Sequence, residues 1–146
     1  MEVEQWNAIL WLSTKWGFQA AREYAIAAID KIKQDPLDRI DIARLCKVEK
    51  WKLPAFTDLC LRTNPLTAQD ARRLNLETFA DLCKVREMLK KEELTARSLK
   101  RDGKGLAGAG AESRGNLPLD PEKLRADAER FLRACKGLDL GTLCYN

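Results

Sequence analysis

Apolar residues recur three and four positions apart along most of the chain, the spacing that places them on one face of an α-helix. Valine and isoleucine are sparse and Asn-Gly hairpin turns are absent, so strands are not expected. The predicted helices cover roughly residues 3–15, 18–32, 36–46, 51–61, 67–74, 76–99 and 120–135. We therefore predict an all-α bundle of six or seven short helices.

Helix boundaries carry clear local signals. Asp35-Pro36 and Asp120-Pro121 each combine a capping carboxylate with a proline that needs no hydrogen-bond donor in the first turn. Gly17 offers a left-handed stop after the first helix. The second helix is expected to bury one stripe of apolar residues. That stripe consists of Phe18, Ala21, Ala25, Ala28, Ile29 and Ile32.

The glycine distribution predicts the domain organisation. Five of the eight glycines lie between Gly103 and Gly115, in a stretch too poor in apolar side chains to offset the entropy of ordering it. We expect a helical domain over residues 1–100, a flexible glycine-rich linker over 101–119, and a C-terminal helix and tail over 120–146 that docks on the first domain. The docking stripe contains Leu124, Ala128, Phe131, Leu132 and Cys135.

The amino-acid composition argues against several classes of function. The 146 residues are 45% hydrophobic and 33% charged with a net charge of +4, which is globular and not basic enough to favour nucleic acid. Histidine is absent, so the commonest general base and metal ligand are missing; no catalytic residue, metal, cofactor or small-molecule ligand is predicted. No apolar run approaches membrane-spanning length, and the first residues are acidic rather than basic. We expect a soluble protein of the cytoplasm or nucleus, with no membrane partner.

The five cysteines are an odd number without CxxC spacing, which fits neither a zinc framework nor a disulfide scaffold. Three of them follow leucine inside helical stretches, where cysteine behaves as a small apolar residue. We expect all five to be reduced.

Four tryptophans lie within the first 51 residues, and they supply the candidate binding residues. Trp6, Trp11 and Trp16 are five positions apart, and each step turns about 140° around a helix, so the three cannot face one side. Tryptophans also anchor helical cores, and that alternative stays open at this point. The predicted partner-binding residues are Trp6, Ile9, Trp11 and Trp51.

Residues 5–87 contain three distinctive segments, LSTKWGF, DPLDRIDIARLCKVEKWKLPA and NPLTAQDARRLNLETFADLCKVRE. They resemble the helical C-terminal region of the BTB/POZ-domain proteins of mushroom-forming fungi. The resemblance implies that the first two helices correspond to the closing helices of a BTB fold and that residues 36–61 begin its helical extension. Because the sequence begins without the strands and helices of the BTB module, neither BTB dimerisation nor recruitment of a cullin-type ubiquitin ligase is implied.

These observations favour a non-catalytic protein–protein interaction module, either an adaptor or an accessory fragment of a BTB-type protein. Its partner would be another protein or a second copy of the chain. One alternative is a nucleic-acid-associated helical protein, since basic residues recur between Lys90 and Lys104. An enzyme whose site is not visible in the sequence is a further alternative.

Overall fold

A computed structural model describes residues 2–102, 120–135 and 138. These residues form seven α-helices and contain no strand, which confirms the all-α prediction. The helices are α1 (Val3–Trp16), α2 (Gln19–Asp30), α3 (Pro36–Leu45), α4 (Lys52–Leu61), α5 (Ala68–Arg73), α6 (Leu76–Asp102) and α7 (Pro121–Ala134), and a 3-10 turn (Glu49–Trp51) precedes α4.

The two predicted caps form, and α5 has a third cap at Thr67. The Asp35 carboxylate accepts a hydrogen bond of 2.9 Å from the backbone N–H of Leu37, and Asp120 caps α7 in the same way. At α5, the Thr67 hydroxyl accepts from the Asp70 N–H while the Asp70 carboxylate accepts from the Thr67 N–H. Each cap satisfies donors that the first helical turn leaves without an intrahelical partner.

The chain divides into two compact units. The first unit holds the described residues up to Leu59, and the second holds those from Cys60 onward. Residues 103–119 and 139–146 lie outside the described residues, so the predicted domain over 1–100, linker over 101–119 and C-terminal segment over 120–146 stay a prediction.

The first unit contains a cluster of buried apolar residues that we call its core cluster. It consists of Leu10, Ala25, Ile26, Ile29, Ala43, Cys46, Val48 and Trp51. The expected stripe of α2 is only partly right: Ala25 and Ile29 are buried, but Phe18 and Ala21 are exposed and Ile26 takes a place in the core. Phe18 departs from the expected stripe because α2 begins at Gln19, which leaves Phe18 at the cap position rather than within the helix.

In the second unit, α7 packs against α6. Ala128 and Leu132 of the predicted stripe are fully buried, whereas Phe131 is half-buried with the Arg130 guanidinium 4.9 Å from its ring centroid. Leu76, at the start of α6, is exposed. None of the described helices combines the length and apolar character needed to cross a bilayer.

We expect Leu132→Ala to lower the free energy of unfolding by about 2–5 kcal/mol, because a fully buried leucine loses its contacts and leaves a cavity. Phe131→Ala should cost less than the roughly 3–5 kcal/mol typical of a buried phenylalanine. Urea denaturation followed by circular dichroism measures both. Arg133→Ala is the control, since Arg133 is exposed on the same helix. A Leu132→Ala variant as stable as the parent would contradict the packing of α7.

Candidate interaction surface

Gly17 sets the geometry at the end of α1. Its φ of 74° is left-handed, and the N–H of Phe18 donates to the Ser13 carbonyl at 2.9 Å, so the chain leaves the helix in a tight reversal. A Cβ at Gly17 would meet no atom within 4 Å, which means that glycine serves the backbone conformation rather than a close approach. The reversal makes α1 and α2 packed neighbours.

One side of α1 packs into the core of the first unit. Leu10 and Ser13 are buried, and the Ser13 hydroxyl donates to the Leu10 carbonyl at 3.0 Å. Trp6 and Ile9 are half-buried and pack against the core cluster from the same side. The large apolar residues Trp11, Leu12 and Trp16 of α1 are exposed.

We call the exposed large apolar side chains of α1 and of the turn that follows it the aromatic surface. It consists of Trp11, Leu12, Trp16 and Phe18. Trp16 and Phe18 are the most open of these, with 63% and 58% of their surface exposed. Leu12 and Trp16 are four residues apart and so are neighbours on the helix surface.

Ring contacts order this surface. Trp16 and Phe18 meet edge to face, with centroids 6.0 Å apart and planes at 82°. The Lys15 ammonium lies 4.9 Å from the centroid of Trp11. Edge-to-face pairs contribute about 0.5–1.5 kcal/mol and exposed cation–π contacts about 0.5–1 kcal/mol, so these contacts favour the observed arrangement of the exposed rings.

The four predicted partner-binding residues lie in three different places. Trp11 lies on the aromatic surface, while Trp6 and Ile9 lie at its border with the core; Trp6 also contacts the ring of Tyr24 at 5.6 Å. Trp51 is only 3% exposed and belongs to the core. Its side chain offers no area to a partner, so the surface of α1 does not include it.

Trp51 is held by a polar cluster at the end of α2. Its indole Nε1 donates to the Asp30 carboxylate at 2.5 Å, and the Arg39 guanidinium lies 5.4 Å from the ring centroid. Asp30 also pairs with Arg39 at 3.2 Å and with Lys50 at 2.8 Å. The carboxylate thus joins α2, α3 and the 3-10 turn.

Electrostatics keep Asp30 ionised. Burial alone would raise the pKa of Asp30, but hydrogen bonds from Lys50 and Trp51, together with the positive charges of Lys50 and Arg39, hold that pKa below its ordinary value.

Sequence reasoning missed Trp16 and Phe18 as binding candidates. The apolar spacing predicts Phe18 in the buried stripe of α2, although Gly17, just before it, predicts the end of α1. Since Trp11 and Trp16 are about 140° apart on the helix and Leu10 faces the core, the outward position of at least one of these tryptophans could have been inferred.

The described cysteines are free thiols: Cys46, Cys60, Cys83 and Cys135. Burial raises the pKa of Cys60 to about 12, and burial also raises the pKa values of Cys46 and Cys135. These three thiols are protonated at neutral pH and are weak nucleophiles. Within the described part of the chain, no three acidic, cysteine or histidine side chains come together as a metal-ligand group.

We expect Asp30→Asn to destabilise the protein at neutral pH and to matter less in acid. A carboxylate whose pKa is lowered by folding stabilises the folded state above its unfolded pKa, and this stabilisation is lost as the pH falls through the folded pKa. The difference in unfolding free energy between parent and variant should therefore shrink as the pH falls below about 4. Urea titrations of both proteins across this range give the difference. A gap that widens in acid would refute the role of Asp30.

Comparison with known proteins gives no relative for this chain. No protein-family model matches it, and neither does any curated protein or solved structure. The resemblance of residues 5–87 to the fungal BTB proteins therefore stays a prediction.

Proposed function

We propose that this protein is a non-catalytic protein–protein interaction module and that the aromatic surface binds its partner. The observation that carries the proposal is the pair of exposed, mutually packed rings of Trp16 and Phe18. Exposed contiguous apolar patches commonly mark interaction sites. Tryptophan and phenylalanine are enriched at the centres of protein interfaces, and tryptophan is among the residues that most often dominate binding energy.

The chemistry around α1 favours a protein over other partners. Its charged side chains are Glu4 and Lys15, and Glu2 caps its start. A protein surface that binds nucleic acid needs clustered basic side chains to neutralise the phosphates. An amphipathic helix that binds a membrane carries several lysines or arginines beside its apolar face. With a single lysine, α1 meets neither requirement.

The resemblance to fungal BTB proteins supports an adaptor or accessory role. In that family, the helix corresponding to α1 packs against a BTB core, so an apolar outer face on α1 suits contact with another protein surface. We also propose a cytoplasmic or nuclear location. The four free thiols support a reducing compartment.

Sedimentation velocity over a wide concentration range tests whether the occupant is a second copy of the chain. We expect Trp16→Ala and Phe18→Ala to weaken association by about thirtyfold or more each, since truncating an interface hot spot costs about 2 kcal/mol or more. Leu94→Ala is the matched control, because Leu94 is 63% exposed on α6 and lies outside the aromatic surface.

A photo-cross-linker placed at Leu12 tests for a different protein in the same way. A partner cross-linked by the parent should be lost in the Trp16→Ala and Phe18→Ala backgrounds and kept in the Leu94→Ala background. The proposal fails if the parent stays monomeric and its cross-linked proteins are the same in all backgrounds.

A further inference from the structure

A small cleft in the second unit is lined by three basic side chains. Its volume is about 150 Å³, and it lies between the chain that follows α4 and the middle of α6. The basic residues are Arg62, Arg86 and Lys90. Arg86 and Lys90 are four residues apart on α6, so they share one face of that helix.

The three cations differ in how they are held. The Arg86 guanidinium donates from Nη2 to the Asn64 carbonyl at 3.0 Å, which fixes its position at the cleft. Arg62 and Lys90 make no hydrogen bond or ion pair within the part of the chain that the structure describes. One fixed cation therefore stands beside two that are available to a ligand.

Among its described lining residues, the cleft has one acidic side chain. Its acidic lining residue, Glu93, forms an ion pair with Arg97 one helical turn away. The C-terminus of α4 contributes only about half a negative charge. One basic residue near a helix C-terminus is common in proteins, because its side chain can donate hydrogen bonds to the last backbone carbonyls of the helix. Here Arg62 and Lys90 add two further positive charges to the lining beside Arg86.

We propose that this cleft binds the phosphate group of a phosphate monoester. A guanidinium presents N–H donors that match two phosphate oxygens at once, and a monoester carries close to two negative charges at neutral pH. A carboxylate has one charge and would use fewer of the three cations. Thr63, whose side chain carries a hydroxyl group, also lines the cleft.

Size and surroundings fit a phosphate group rather than a whole nucleotide. The volume equals that of about five liquid water molecules, well below the 300 Å³ or more of typical drug-sized sites. Leu61, Leu89 and Leu124 give the cleft an apolar wall that suits the ester carbon. Cys60 also lines it, and its thiol is neutral because burial raises its pKa to about 12, so it does not repel an anion.

Fluorescence anisotropy of a labelled peptide with one phosphoserine in an alanine background tests the proposal on the full chain. The serine and glutamate versions of the peptide are ligand controls, and inorganic phosphate is the competitor. We expect saturable binding of the phosphoserine peptide only. Arg62→Gln and Lys90→Gln should each weaken it about ten- to hundredfold, the usual effect of losing a hydrogen bond to a charged group.

Arg133→Gln is the matched control variant, because Arg133 is exposed on α7 and does not line the cleft. It should bind as the parent does. Thermal unfolding of each variant shows that the fold is kept, and Lys90 is exposed, so its replacement tests the cleft even if Arg62→Gln is destabilised.

The competition identifies the source of the phosphate. Inorganic phosphate that displaces the peptide at a similar concentration indicates a free phosphate ligand, whereas much tighter peptide binding indicates a phosphorylated protein; both results support the cleft. Three results overturn it: no phosphate-dependent binding by the parent, equal weakening by Arg133→Gln, or binding of a single-stranded oligonucleotide without binding of the monoester.

Discussion

Burying Trp51 imposes a requirement that shapes the first unit, since a buried indole N–H must find an acceptor. Asp30 supplies it, and an unsatisfied donor would cost about 1–3 kcal/mol. Because Asp30 lies at the end of α2 and Trp51 in the 3-10 turn, this one hydrogen bond fixes the distance between two elements far apart in the sequence. Arg39 and Lys50 then balance the carboxylate's charge.

The same arrangement divides the tryptophans between core and surface. Trp51, Leu10 and the half-buried Trp6 pack in the core, whereas Trp11 and Trp16 of α1 stay exposed. Gly17 completes this division, because its left-handed backbone turns Phe18 back beside Trp16 instead of into α2. The aromatic surface is therefore a consequence of how the core is filled.

Local features of this fold could be read from the sequence, and tertiary ones could not. Asp35, Thr67 and Gly17 act through residues within a few positions of themselves, so their capping roles were predictable. The burial of Trp51 depends on its hydrogen bond to Asp30, which is twenty-one positions away. No short sequence pattern indicates that these two residues are partners. The basic cleft was missed for the same reason, because Arg62 meets Arg86 and Lys90 only after the second unit folds.

Trp51 is buried in the core, whereas Trp16 is exposed, and we propose that Trp16 contacts a partner. Fluorine NMR of protein labelled with 5-fluorotryptophan, with signals assigned by single Trp→Phe variants, tests this most directly when a soluble paramagnetic agent is added. The account predicts that the Trp16 signal is broadened most and the Trp51 signal least, in line with their exposures of 63% and 3%. A Trp51 signal broadened as much as that of Trp16 would contradict it.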